Sequence, residues 1–131
     1  LLVRQQMFYA RLSLELYRSN PATLDIDKTT KEIMNSYTPF PFVEGTHMAA
    51  SFGHLNGYSA NYYTYMWSLT IAKDLFSRFD KANLLAPGIA REYREKVLAP
   101  GGSKPAAKLV EDFLGRPFNE KAWKAWLDSD Q

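Results

Sequence analysis

The residues best suited to chemistry are concentrated in one stretch of the 131-residue chain, Phe52-Gly53-His54-Leu55-Asn56-Gly57-Tyr58-Ser59-Ala60-Asn61-Tyr62-Tyr63-Thr64-Tyr65-Met66-Trp67. Tyr58, Tyr62 and Tyr65 follow one another at spacings of four and three, which is one face of a helix, so three phenols project in a row. His54 lies just before Asn56-Gly57, a dipeptide that marks a turn, and a turn can bring an imidazole over that same face. Neutral O–H and N–H donors gathered in this way suit a carbonyl oxygen or a developing oxyanion, which needs aimed donors more than net charge. The same spacing also fits the wet end of a core stripe, each phenol bonded to nearby backbone, and spacing alone leaves both readings open.

Other chemistry is missing from the sequence. A helical zinc-hydrolase site needs two histidines at i and i+4 with a glutamate between them. Here His47 and His54 are seven apart with no Glu at a ligand spacing, and there is no cysteine, so no metal site is expected within the chain. Phosphate loops, G-x-S-x-G elbows and dinucleotide fingerprints are absent. The carboxylate pairs Asp25/Asp27 and Glu111/Asp112 read as solvated surface. Lys and Arg total 16 against 14 acidic residues, and a net charge of +2 is too small to drive binding to nucleic acid or an anionic membrane. No apolar run approaches the roughly 20 residues of a spanning helix. Leu1-Leu2-Val3 passes directly into Arg4-Gln5-Gln6, which is no signal-peptide core. The expectation is a soluble, cytoplasmic chain with no nucleic-acid or membrane partner.

The elements that must position the cluster are helical. Val3, Met7, Ala10, Leu14 and Tyr17 predict an inward face on a first helix that stops at Asn20-Pro21. That helix lacks an N-cap, as if the chain were cut from something longer. Thr29 with Glu32 has capping-box spacing for a second helix ending near Tyr37. Thr38-Pro39-Phe40-Pro41-Phe42 must be an extended loop, because each proline lacks a donor and pushes its predecessor toward extended geometry. Met48 to Leu55 is ambiguous. Tyr58, Tyr62, Tyr65, Leu69, Ala72, Phe76 and Phe79, with a second stripe of Tyr63, Trp67, Ile71 and Leu75, predict one long helix buried on most sides at the centre of the domain. Pro87 suits the first turn of the next helix, with Ile89, Tyr93 and Val97 inward and Ala99-Pro100-Gly101-Gly102 as its stop. Ser103 is the expected cap of a helix turning Val110, Phe113 and Leu114 inward, with Gly115 as its left-handed stop. Asn119 is the expected cap of a last helix carrying Trp123, Trp126 and Leu127. Without sustained period-two alternation or internal repeats, the reading is all-α, about six helices around a central aromatic-rich helix, in a single helical domain over 1–131.

Val43-Glu44-Gly45-Thr46-His47-x-x-x-Ser51-Phe52-Gly53-His54-Leu55, followed by Gly57-Tyr58-x-Ala60-x-Tyr62-Tyr63-x-Tyr65-x-Trp67, closely resembles the C-terminal region of the thimet oligopeptidase family of zinc metallopeptidases. The resemblance extends to Arg4-Gln5, Tyr93-Arg94 with Val97-Leu98, Gly101-Gly102-Ser103 and Phe113-Leu114-Gly115-Arg116-Pro117, and so covers essentially the whole chain. It implies a C-terminal fragment of a larger, two-lobed, largely helical zincin-type oligopeptidase that cleaves short peptides. The single zinc would be held by a His-Glu-x-x-His helix and a following Glu, all N-terminal to these residues. It further implies that His54 and Tyr65 stabilise the tetrahedral intermediate, that Tyr58 and Tyr62 bind the peptide near the scissile bond, and that the fragment alone is inactive. Its partners would be short peptides and the missing N-terminal part of the same protein. His54-Leu55-Asn56-Gly57-Tyr58 is shorter by one glycine than in many members, a form similar to the intermediate-peptidase branch. The competing reading is a free-standing helical domain whose aromatic groove holds a peptide or a partner helix.

Overall fold

The computed structural model describes residues 1–129, which form seven α-helices and no strand. The all-α reading holds. They are α1 (Leu2–Arg18), α2 (Ile26–Tyr37), α3 (His54–Tyr58), α4 (Thr64–Phe76), α5 (Pro87–Tyr93), α6 (Ala106–Leu114) and α7 (Lys121–Asp128). Short 3₁₀ turns lie at Met48–Ser51, Asn61–Tyr63 and Gly101–Ser103, and a π turn at Arg94–Leu98 continues α5. No described helix is long and apolar enough to cross a membrane. The chain divides into two compact units, Leu1–Trp67 and Ser68 onward.

In the first unit α1 packs on α2 and on the Asn61–Tyr63 turn. The core is Phe8, Ala10, Leu12, Ile33, Phe52 and Tyr62. The buried face of α1 is therefore Phe8, Leu12 and Ser13, whereas Met7, Leu14 and Tyr17 of the expected stripe are exposed and only Ala10 is buried. Two apolar stripes compete on this helix, and the one carrying Phe8 and Leu12 joins the core cluster with Ile33, Phe52 and Tyr62. The N-cap of α2 is Asp25, whose carboxylate accepts from the Lys28 N–H, so the Thr29/Glu32 spacing falls inside the helix. Residues 38–43 are non-helical, as the prolines require, but the loop is not extended throughout: it leaves α2 extended at Thr38 and bends at Pro39 and Phe40.

The long central helix is not formed. The segment is broken into α3, the Asn61–Tyr63 turn and α4, and the only buried residues on α4 are Thr70 and Asp74. Asn56-Gly57 lies inside α3 rather than in a turn.

The second unit closes on Leu109, Val110 and Phe113. Phe113 meets Tyr93 at 5.4 Å and Phe79 at 6.1 Å between ring centroids, and the Arg78 guanidinium lies 4.7 Å over its face. Pro87 starts α5, and Gly115 at φ 70° ends α6 by donating to Glu111. Ser103 caps nothing, since α6 starts behind Pro105, and the Asn119 side chain accepts from the Lys121 N–H just ahead of α7. Asp74 is 1% exposed and takes both guanidinium nitrogens of Arg116, at 2.6 and 2.8 Å, plus the Asn119 N–H at 2.9 Å. Three donors match one buried carboxylate, which is what makes burying it tolerable.

Arg116 holds the Asp74 carboxyl below its usual range against the opposing push of burial, and the Asn119 N–H adds to the lowering. A depressed folded value contributes stability above the unfolded value of 3.8, and that contribution is lost as pH falls through the folded value. Arg116→Ala is expected to cost about 2–3 kcal/mol, less than a fully buried pair because the guanidinium is partly exposed. Urea unfolding at neutral pH measures the loss, and the gap between variant and wild type should close as pH drops below about 4.

Candidate active-site wall

Three separate elements bring the cluster together. His54 opens α3, Tyr58 closes it, Tyr62 sits in the Asn61–Tyr63 turn and Tyr65 lies in the first turn of α4. The imidazole is the hub: its centroid is 5.9 Å from Tyr58, 5.0 Å from Tyr62 and 5.8 Å from Tyr65, the last two edge-on. Tyr62 and Tyr65 are 5.0 Å apart. The four residues singled out from sequence do meet, although not along one continuous helix.

They are not equivalent. Tyr58 and Tyr65 are 55% and 44% exposed, and His54 is exposed as well. Tyr62 is only 8% exposed, its ring lies against Phe52 at 5.2 Å and Tyr9 at 5.6 Å, and its hydroxyl donates to Gln6 Oε1 at 3.0 Å. Burial pushes the Tyr62 phenol above its ordinary value, and Tyr9 and Tyr65 push it the same way. Tyr62 is thus a neutral, anchored ring beneath the imidazole, with an engaged hydroxyl. Tyr63, expected to pack, is exposed.

What breaks the helix is Ser59, at φ 49° and ψ −120°, the only described residue other than glycine with positive φ. Such a conformation costs about 1–3 kcal/mol and persists where its surroundings over-determine it. Here the Ser59 carbonyl accepts from the fully buried Ser13 Oγ at 2.6 Å. Tyr17 Oη donates to the Leu55 carbonyl at 2.7 Å. Sequence reasoning missed Gln6, Tyr9, Ser13 and Tyr17. The signal for three of them was present: Gln6, Ser13 and Tyr17 follow at seven and four residues, a polar stripe along one face of α1.

His47, outside the cluster, pairs through Nδ1 with Asp27 at 2.7 Å. Of the carboxylate pairs, Asp25 is the α2 cap and Asp112 bonds Lys104 and Lys108. Among the described residues no group of three or more His, Asp or Glu could hold a metal ion.

The sequence model of peptidase family M3 matches residues 1–128. The chain belongs to that family. Three M3-like relatives illustrate the match. A thimet-like oligopeptidase of Dictyostelium discoideum is 40% identical over 84 residues, which is 63% of this chain and 12% of that protein. A mitochondrial intermediate peptidase of Arabidopsis thaliana is 30% identical over 115 residues, 87% of this chain and 16% of its own length. Oligopeptidase A of Haemophilus influenzae is 28% identical over 102 residues, 72% and 15% respectively. The chain thus spans a small part of these relatives. Its M3 membership agrees with the resemblance read from the His-to-Trp block.

The strain at Ser59 gives a stability prediction for this M3 chain. Ser59→Gly removes the positive-φ penalty and adds about 0.4–1 kcal/mol of backbone entropy to the unfolded state, so the net expectation is a gain of about 1 kcal/mol. Thermal unfolding should show a melting point a few degrees higher; a lower one would mean that Ser59 does not hold this conformation.

Proposed function

We propose that these residues are the substrate-binding, transition-state-stabilising wall of a zinc metallopeptidase that hydrolyses short peptides. The observation that carries the reading is the His54 hub with two exposed phenols on either side, Tyr58 and Tyr65, in a chain of family M3. On this reading the zinc ligands belong to a part of the parent protein outside this chain, and the chain by itself is inactive. Family membership along nearly the whole chain favours this reading over a free-standing interaction domain.

The chemistry assigned to the wall is donation. His54 and Tyr65 offer neutral N–H and O–H groups to the scissile carbonyl oxygen, and their bonds strengthen as charge builds on that oxygen. Tyr58 presents its phenol to the peptide backbone beside the cleaved bond. Tyr62 supports the same face from below: its ring fills the space under the imidazole, and its engaged hydroxyl limits its part in peptide binding to ring contact.

The test is made in the intact parent enzyme. Tyr65→Phe should lower kcat far more than it raises KM, because the hydroxyl acts on charge present only in the transition state. One oxyanion donor is worth about 10²–10³ in rate, so a loss of at least tens of fold is expected at saturating peptide. Tyr63→Phe, a neighbour outside the cluster, should change little. Equal activity in the two variants would refute the assignment of Tyr65.

A further inference from the structure

We propose that Ser13 and Tyr17 are positioning residues: two hydroxyls one turn apart on α1 that hold the strand of chain carrying His54 and Tyr58 in its productive aim. The proposal rests on the wall reading above and extends it to a helix that carries none of the chemistry.

α3 has five residues, and its terminal carbonyls lack intrahelical partners. Two carbonyls, one near each end of α3, are met from α1. Tyr17 Oη donates to Leu55, next to His54, and Ser13 Oγ donates to Ser59, next to Tyr58. The two bonds bracket the helix. The Ser59 bond falls on the one strained non-glycine residue described, where the chain leaves α3 and turns toward Tyr62. Strain there means that the local sequence does not choose this path unaided, and the buried Ser13 hydroxyl supplies a contact that does. A hydroxyl pair on a seventeen-residue helix is a rigid reference for a one-turn helix that would otherwise fray.

Tyr17→Phe in the intact parent is the decisive variant, since it deletes one oxygen from an exposed side chain and leaves the packing alone. It is measured by kcat and KM on a short fluorogenic peptide in the wild-type background and in a His54→Ala background. If Tyr17 acts by aiming His54, the loss in kcat/KM should be about three- to tenfold in the first background and under about twofold in the second. Ser13→Ala should follow the same pattern if it folds, as judged by circular dichroism and melting point. An equal loss in both backgrounds, or no loss in wild type, overturns the positioning role while leaving the wall reading intact. Full activity of His54→Ala overturns the wall reading, and the positioning role with it.

Discussion

A helix of one turn cannot hold itself in water, because nucleation fixes several residues for a single hydrogen bond. α3 is such a helix, and His54 and Tyr58 stand at its two ends. Its shape is borrowed from α1. Phe8 and Leu12 are buried, Tyr9 lies against Phe52 and Tyr62, Gln6 accepts from the Tyr62 hydroxyl, and Ser13 and Tyr17 donate to the Ser59 and Leu55 carbonyls near either end of the helix. Each fully buried aromatic or leucine contributes about 1.5–3 kcal/mol, so the apolar floor holds the assembly together while the hydroxyls fix its register.

Burial then sorts the tyrosines into two roles. A ring that is buried with a bonded hydroxyl, as in Tyr62, gains rigidity and gives up its donor. Tyr58 and Tyr65 remain exposed, and the proposed wall assigns their hydroxyls to the peptide. The imidazole rests edge-on against the Tyr62 ring, and the proposed wall needs its donors held in place, since fixed donors at an oxyanion cost less reorganisation at the moment of reaction. In the second unit burial serves structure: Asp74 accepts three hydrogen bonds, two from Arg116 and one from the Asn119 N–H.

The helical class, the proline loop, the Pro87 start and the Gly115 stop were legible because each rests on a local backbone rule that tertiary context did not override. The meeting of His54 with Tyr58, Tyr62 and Tyr65 was legible too, although the four-and-three spacing suggested one helix. A broken segment can bring the same rings together, and nothing in Tyr58-Ser59-Ala60 announces a positive φ, since serine rarely adopts it and here is held by a residue 46 positions away. The buried face of α1 was misread for a related reason. Periodicity fits both the Met7/Leu14/Tyr17 stripe and the Phe8/Leu12 stripe, and only the partners Phe52 and Tyr62, distant in sequence, decide between them.

The most direct test of the wall is a crystal structure of the intact parent enzyme with a phosphinic peptide, whose tetrahedral phosphinyl group stands in for the hydrated scissile carbonyl. The account predicts the Tyr65 hydroxyl and a His54 ring nitrogen within about 3 Å of a phosphinyl oxygen. Tyr62 should still be bonded to Gln6 beneath them. A bound inhibitor with Tyr65 and His54 turned away from that oxygen, or with Tyr62 swung out to take their place, would contradict it.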